Sequence, residues 1–165
     1  MTTIDELKAA AANYREQHPG PKPAPPSRQV AIVTCMDARI DVYRLFGLGE
    51  GEAHVIRNAG GVVTPDVLRS LAISQRVLGT REVVLMHHTG CGLIGFDPDA
   101  FRSTIRTETG VEPTWASATL HDDLADDLRQ AVAALKADPV LPVSDEVRGF
   151  VYDVKTGELL EVDAA

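Results

Sequence analysis

The chain has 165 residues, of which 44% are apolar and only 5% aromatic, so Val, Leu, Ile and Ala must fill the core of what we predict to be a single domain. The formal net charge is -8 and basic residues form no run, which argues against a nucleic-acid partner, because a phosphate-binding surface needs clustered Lys and Arg. We expect no membrane span, since no stretch of about 18 apolar residues is present, and the charged N-terminus lacks the pattern of a signal peptide. These features predict a cytoplasmic protein whose two cysteines stay reduced and available for a metal or for catalysis.

The N-terminal region is predicted to be a helix on a stiff arm. A helix over 3–17 places Ile4, Leu7 and Tyr14 near one face, and the Pro-rich stretch at 18–27 excludes both a helix and a central strand. The sequence leaves two arrangements open, in which the arm packs on a neighbouring subunit or folds back on its own domain. We therefore divide the chain into the arm, 1–27, and the predicted domain, 28–165.

The remainder of the chain alternates between strands and helices. Short β-branched runs and turn residues predict strands at 29–34, 53–57, 82–87, 148–154 and 158–162, and helical periodicity predicts helices at 64–79, near 98–107 and at 119–137. The last predicted helix carries Leu120 and Leu124 on its apolar face. The order of these elements predicts an α/β fold in one domain, with a mostly parallel central sheet flanked by helices and an extended N-terminal helical arm.

Chemistry-bearing residues follow three of the predicted strands. The segments are Cys35-Met36-Asp37-Ala38-Arg39, Arg57-Asn58-Ala59-Gly60-Gly61 and His88-Thr89-Gly90-Cys91-Gly92. Because the carboxyl ends of parallel strands meet at one edge of a sheet, we expect the three loops to converge. Two thiolates and one imidazole favour zinc, and three protein ligands with an open fourth position are typical of a catalytic zinc site. The predicted ligands are Cys35, His88 and Cys91.

Asp37 lies two residues after Cys35 and is predicted to have one of two roles. It either fills the fourth position itself or accepts a hydrogen bond from a water on the metal. Arg39 can clamp the Asp37 carboxylate with its guanidinium fork, which would keep the metal open. Gly60 and Gly61 are predicted to bring backbone N–H groups near the metal, as part of the substrate site.

Other interpretations of these residues need no catalytic metal. The cysteines and His88 could be ordinary core residues, a purely structural zinc site could serve protein interaction, or Cys35 and Cys91 could carry out thiol redox chemistry. We favour a metal because HxxC and CxDxR each follow a predicted strand. His87 is predicted to point to the opposite face of the sheet and is not assigned to the metal.

Four motifs together resemble the β-class carbonic anhydrases, in their short bacterial and archaeal branch. They are CMDAR at 35–39, VIRNAGG at 55–61, SLAIS at 70–74 and HHTGCG at 87–92, and the likeness covers roughly residues 28–95. The resemblance implies zinc on Cys35, His88 and Cys91, with Asp37 and Arg39 as a catalytic dyad. It also implies a homodimer or a dimer of dimers, in which the N-terminal helix embraces the partner.

The resemblance further implies the reversible hydration of CO2 to bicarbonate and a proton. Zinc lowers the pKa of a bound water, for which the three-histidine carbonic anhydrases are the standard example, and the resulting hydroxide would be oriented by Asp37. Val62, Val63 and Leu93 are candidate walls of a small apolar pocket. The alternative substrates on this scaffold are carbonyl sulfide and carbon disulfide. One departure is Gly90, where many members of this branch carry an acidic residue.

Overall fold

The computed structural model describes residues 1–115, 119–143 and 146–163. The helices are α1 Thr3–Gln17, α2 Val42–Leu45, α3 Pro65–Arg76, α4 Pro98–Thr109 and α5 Leu124–Ala137. The strands are β1 Val30–Cys35, β2 Ala53–Asn58, β3 Glu82–His88, β4 Val147–Tyr152 and β5 Leu159–Val162, and a 3-10 turn at Ala59–Gly61 follows β2. Within the described ranges no helix is both long enough and apolar enough to cross a bilayer.

The strands form one sheet in the order β2-β1-β3-β4-β5. Every neighbouring pair is parallel except β4 and β5, which are antiparallel. The predicted α/β fold with a mostly parallel sheet is therefore confirmed, and the two terminal strands do form the predicted hairpin. Since β1 and β3 lie side by side, the loops that follow them leave the same edge of the sheet.

The two faces of the sheet carry separate apolar clusters, because successive side chains of a strand alternate in direction. On one face, Val33 and Leu85 pack with Leu71 of α3 and Leu128 of α5. The cluster on the other face includes both cysteines and is covered by α2 and by loops, and it contains Ile32, Cys35, Ile40, Val42, Met86, Cys91 and Leu120. The two thiols therefore lie on the face away from α3 and α5.

Helix α1 stands apart from these clusters. It has the predicted bounds and begins with a capping box between Thr2 and Asp5, yet none of its residues is buried. Ile4 and Leu7 are 69% and 64% exposed. The chain joins the domain at Pro26, which is buried, and at Ser27, whose N–H donates to the carbonyl of Gly51. The helical arm predicted from the sequence is thus present in the fold.

The structure differs from the sequence prediction before α5. The helix begins at Leu124 and not at residue 119, because the Asp123 carboxylate caps it by accepting from the N–H groups of Ala125 and Asp126. Leu120 consequently does not belong to the apolar face of α5. It packs in the cluster that contains the cysteines, and a bridge joins it to Ile94. Helix α2 was not predicted, since its four residues are too few to show a period.

Candidate metal centre

Cys35, His88 and Cys91 come together at one edge of the sheet. Cys35 ends β1, His88 ends β3, and Cys91 lies in the loop after β3. Their ligand atoms all lie within 4.8 Å of one another, and the residues are 4%, 0% and 6% exposed. Both cysteines are free thiols, with their Sγ atoms 3.9 Å apart. The geometry predicted from two separate motifs is therefore present, and nothing in it links the two sulfurs covalently.

The His88 ring is oriented as a metal ligand requires. Its Nδ1 lies 3.1 Å from the Thr89 carbonyl, which can only accept, so Nδ1 donates and Nε2 carries the lone pair. Nε2 is buried and, among the described residues, has no hydrogen-bond partner. Burial lowers the pKa of His88, which favours the neutral ring. A buried lone pair within 4.8 Å of two sulfurs fits a cation, and a carbonyl bonded to the other nitrogen is the usual support of a ligating histidine.

The thiols provide a second test of this fit. Burial, followed by the neighbouring Cys35, raises the pKa of Cys91. Two thiols this close disfavour ionisation of each other, and a cation bound between them reverses that preference. The donor set is thus suited to a soft or borderline divalent metal ion.

Asp37 is held firmly by Arg39. The guanidinium donates from Nε to Oδ1 at 2.9 Å and from Nη2 to Oδ2 at 2.6 Å, and the Arg39 N–H donates to Oδ1 at 2.9 Å. These hydrogen bonds hold the pKa of the Asp37 carboxyl well below its usual range. Oδ2 still lies only 3.8 Å from His88 Nε2. The carboxylate is therefore ionised and lies beside the three donors. Its bonds to Arg39 match the predicted arrangement in which Asp37 leaves the fourth metal position free.

Gly90 supports the same clamp through its backbone. Its carbonyl accepts from Arg39 Nη2 at 2.9 Å. Its φ is +62°, and a Cβ added there would lie 3.9 Å from Arg39 Nη1. An acidic side chain at this position would therefore place a second carboxylate next to Arg39 and compete with Asp37 for it. With glycine at this position, Asp37 does not compete with a second carboxylate for Arg39.

The turn at Gly60 and Gly61 packs against the end of β1. Both glycines are buried and have positive φ, and a Cβ on Gly61 would lie 2.6 Å from the backbone N of Cys35. The Asn58 side chain closes the turn by bonding the N–H and carbonyl of Val62. The role of the two glycines in substrate binding stays a prediction, whereas their contact with the Cys35 backbone is observed.

An apolar pocket of about 420 Å³ adjoins this turn. Its lining residues are Asn58, Ala59, Val62, Thr64, Leu93, Phe96, Pro98, Phe101, Arg102 and Trp115. Two predicted wall residues, Val62 and Leu93, are among them. Val63 is not, because it packs against the cluster on the opposite face of the sheet.

His87 and Arg57 complete the surroundings of the site. His87 is buried on the far face, as predicted, with Nε2 3.0 Å from the Asp127 carboxylate of α5. Arg57 was not singled out in the sequence, although its guanidinium contacts the loop that carries Asp37. Its position at the carboxyl end of β2 could have indicated that it lies near the site, but not which backbone carbonyls it contacts.

Comparison with known proteins identifies the family. The carbonic anhydrase family profile matches residues 30–159. Beta-carbonic anhydrase 1 of Mycobacterium tuberculosis is 52% identical over 162 residues, which cover 98% of this chain and 99% of the relative. The structure of a carbonic anhydrase from Glaciozyma antarctica superposes with a TM-score of 0.90 at 38% identity, covering 99% of this chain and 100% of that one. A carbon disulfide hydrolase of Saccharolobus solfataricus is 32% identical, over 84% of this chain and 79% of its own length. The chain therefore belongs to the β-class carbonic anhydrases, a metal-dependent enzyme family.

Proposed function

We propose that this chain catalyses the reversible hydration of CO2 to bicarbonate and a proton, with zinc held by Cys35, His88 and Cys91. The observation that carries the proposal is the group of three buried donors within 4.8 Å of one another. Within the described part of the chain, no fourth side chain joins this group, which leaves room for a reacting ligand. The high identity to a β-carbonic anhydrase over almost the whole chain supports the same activity.

Zinc is proposed over other metals because of the donor set. Two thiolates with one imidazole are typical of zinc, whereas magnesium, calcium and manganese prefer oxygen ligands. The bound ion would supply the Lewis acidity that turns water into a nucleophile near neutral pH. The side chains around the ion would then have to orient the nucleophile and bind CO2.

Asp37 and Arg39 are proposed as the catalytic pair. An ionised carboxylate only accepts hydrogen bonds. Asp37 can therefore accept a hydrogen bond from the attacking hydroxide, which directs a lone pair of that oxygen at the carbon of CO2. Arg39 fixes the carboxylate by both oxygens and so keeps it from the fourth metal position. The same contacts would hold Asp37 in one orientation throughout the reaction, which reduces the cost of aligning the reactants.

The apolar pocket is proposed as the place where CO2 is held. CO2 has no net charge, so a wall that includes Val62 and Leu93 suits it better than charged side chains. We propose that the backbone N–H groups of Gly60 and Gly61 contribute polar contacts at the end of the pocket nearest the site. Their positive φ permits the close approach that such contacts require.

The active form is proposed to be a homodimer or a dimer of dimers in the cytoplasm, with residues 1–27 as an arm separate from the catalytic domain, 28–165. In helix α1, which has no buried residue, Ile4, Leu7 and Tyr14 form an apolar face that the described part of the domain leaves exposed. Sedimentation of the full chain and of a variant that starts at residue 28 tests this proposal. We expect the shortened chain to contain fewer subunits per particle than the full chain, and an unchanged number of subunits would exclude the arm as the main contact.

Carbon disulfide or carbonyl sulfide is the second candidate substrate. The relative from S. solfataricus, which is named a carbon disulfide hydrolase, supports it. Both molecules are linear and uncharged like CO2, and the same pocket walls would suit them. The lower identity of this relative, 32% against 52%, places CO2 first.

The deciding experiment measures CO2 hydration by zinc-loaded protein at about pH 7 and about pH 8.5, with carbonyl sulfide and carbon disulfide tested in parallel. We expect CO2 hydration that rises with pH and that falls about 10–100-fold in Asp37→Ala. Asp66→Ala is the matched control, because Asp66 pairs with an arginine on the exposed surface of α3. Release of sulfide without CO2 hydration would move the chain to the second candidate, and inactivity on all three substrates would favour a structural zinc site.

A further inference from the structure

The guanidinium of Arg57 is bonded to the backbone of the loop after β1. It donates from Nε to the carbonyl of Cys35 at 2.9 Å, from Nη1 to that of Ile40 at 3.2 Å and from Nη2 to that of Asp37 at 2.7 Å. All three nitrogens of one side chain are thus engaged by one short segment. Arg57 lies on β2, directly opposite Thr34 in the register with β1, so it reaches the loop from the neighbouring strand.

The loop between Cys35 and Ile40 needs such a partner. Residues 36–39 lie between β1 and α2 and belong to neither, and the Asp37 carbonyl, which accepts from the Ile40 N–H at 3.1 Å, accepts a second hydrogen bond from Arg57. A carbonyl bonded to a charged donor forms a stronger hydrogen bond than one bonded to a neutral group. The planar fork of arginine also has a fixed geometry, so three carbonyls bonded to it are held at fixed distances from one another.

Arg57 and Arg39 act on different parts of the same segment. Arg39 bonds the side chain of Asp37 and the carbonyl of Gly90. The hydrogen bonds of Arg57 within the described residues go to the main chain, at Cys35, at Asp37 and at Ile40 beyond it. The backbone on which the Cys35 sulfur and the Asp37 carboxylate are mounted is therefore fixed by one side chain, and the direction of the carboxylate by another.

We propose that Arg57 is a positioning residue, which sets the distance between Cys35 and Asp37 by holding the curvature of their loop. Among the described residues, Arg57 is neither one of the three donors nor part of the pocket lining, and its hydrogen bonds go to backbone carbonyls, so its effect passes through the backbone. The inference rests on the proposed function in one respect, namely that Cys35 and Asp37 belong to one metal site. It adds that the site loses metal affinity when the loop loses its guanidinium, even if the fold is kept.

The test compares Arg57→Lys, Arg57→Ala and the control Arg76→Lys in the full chain. Lysine keeps the charge but has a single nitrogen in place of the fork, so it cannot reach all three carbonyls in the same geometry. Arg76 is a fair control because it also donates to a backbone carbonyl, that of Val140, on the surface of α3. Zinc affinity is measured by competition with a coloured chelator, and the thiolate-to-metal absorption of the cobalt-substituted protein reports the geometry of the site.

We expect Arg57→Lys to fold, to bind zinc about 10–100-fold more weakly than the unchanged protein and to show altered cobalt absorption, as is usual when a residue that supports a ligand is lost. Added guanidinium ion should restore part of the zinc affinity of Arg57→Ala, since the position of Arg57 is exposed, whereas sodium at equal ionic strength should not. Unchanged affinity and absorption in Arg57→Lys, or an equal loss in Arg76→Lys, would overturn the inference. Since zinc affinity and absorption do not depend on CO2 hydration, failure of the proposed function would appear separately, as a well-formed metal site without activity.

Discussion

Replacing Gly61 by alanine tests how tightly the turn after β2 supports the metal centre. The residue has φ of +67°, and its added Cβ would lie 2.6 Å from the N of Cys35 and 2.7 Å from the C of Thr34. Real Cβ atoms do not approach backbone this closely, and neither neighbour is the flexible end of a side chain. The backbone of β1 or the turn must therefore move, and Cys35 would move with it.

The size of the effect follows from two contributions. A non-glycine residue in the left-handed region costs about 1–2 kcal/mol, and forcing an extra carbon into packed surroundings costs about 1–3 kcal/mol. Together they predict a loss of about 2–5 kcal/mol, against a total free energy of unfolding of about 5–15 kcal/mol for a typical domain. The substitution should leave a folded but weakened protein whose metal affinity falls with the displacement of Cys35.

The assay is equilibrium unfolding in denaturant for Gly61→Ala and for the control Gly79→Ala, with zinc affinity measured on both. Gly79 also has a positive φ, +75°, but nothing lies within 4 Å of its added Cβ. The control thus carries the backbone strain without the clash. It should lose only about 1–2 kcal/mol of the free energy of unfolding and keep its zinc affinity. Equal losses in the two variants would refute the reasoning, because the close approach to Cys35 would then have no energetic consequence.

Three further substitutions have defined outcomes. Arg39→Lys should lower kcat/KM for CO2 by about 10–100-fold, because a single ammonium cannot hold both oxygens of Asp37; an unchanged value would exclude the clamp from catalysis. Leu128→Ala, at a fully buried position, should reduce the free energy of unfolding by about 2–5 kcal/mol, whereas Leu160→Ala, at a residue 55% exposed, should change it much less. Asp153→Ala should lower the thermal midpoint at neutral pH, with a difference that shrinks as pH falls below about 4. Backbone N–H groups of the following turn lower the pKa of Asp153, so its contribution is present above the usual carboxyl range and is lost below it; a difference independent of pH would contradict this explanation.

The sequence was sufficient to predict that Cys35, His88 and Cys91 come together and that Arg39 lies against Asp37, but not the backbone contacts of Arg57. The strands that precede these side chains have a clear apolar pattern, and the carboxyl ends of parallel strands meet at one edge of a sheet. These two facts place Cys35, His88 and Cys91 together. Arg57 could not be placed in the same way. Its role depends on which backbone carbonyls lie within reach, and that depends on the path of a loop without periodicity.

The position of Leu120 shows a related limit. Its spacing from Leu124 matches a helix, so the pattern favoured one continuous helix from residue 119. The Asp123 cap ends that helix earlier, and Leu120 packs with the cysteine cluster on the other face of the sheet. A short polar residue within a periodic run can either cap or continue a helix, and only the tertiary packing distinguishes the two.

Strand β3 connects the metal site on one face of the sheet to helix α5 on the other face. His87 is bonded to Asp127 of α5 on one face, while His88 lies beside the cysteines on the other. Neighbouring residues of a strand share one rigid backbone, so a sliding movement of β3 that relieves strain at α5 displaces His88 by a similar distance. Helix α5 provides none of the three donors, but its Asp127 is bonded to the residue that directly precedes His88. Substitutions in the core around α5 can therefore change the position of His88 on the opposite face of the sheet, without altering any residue of the site itself.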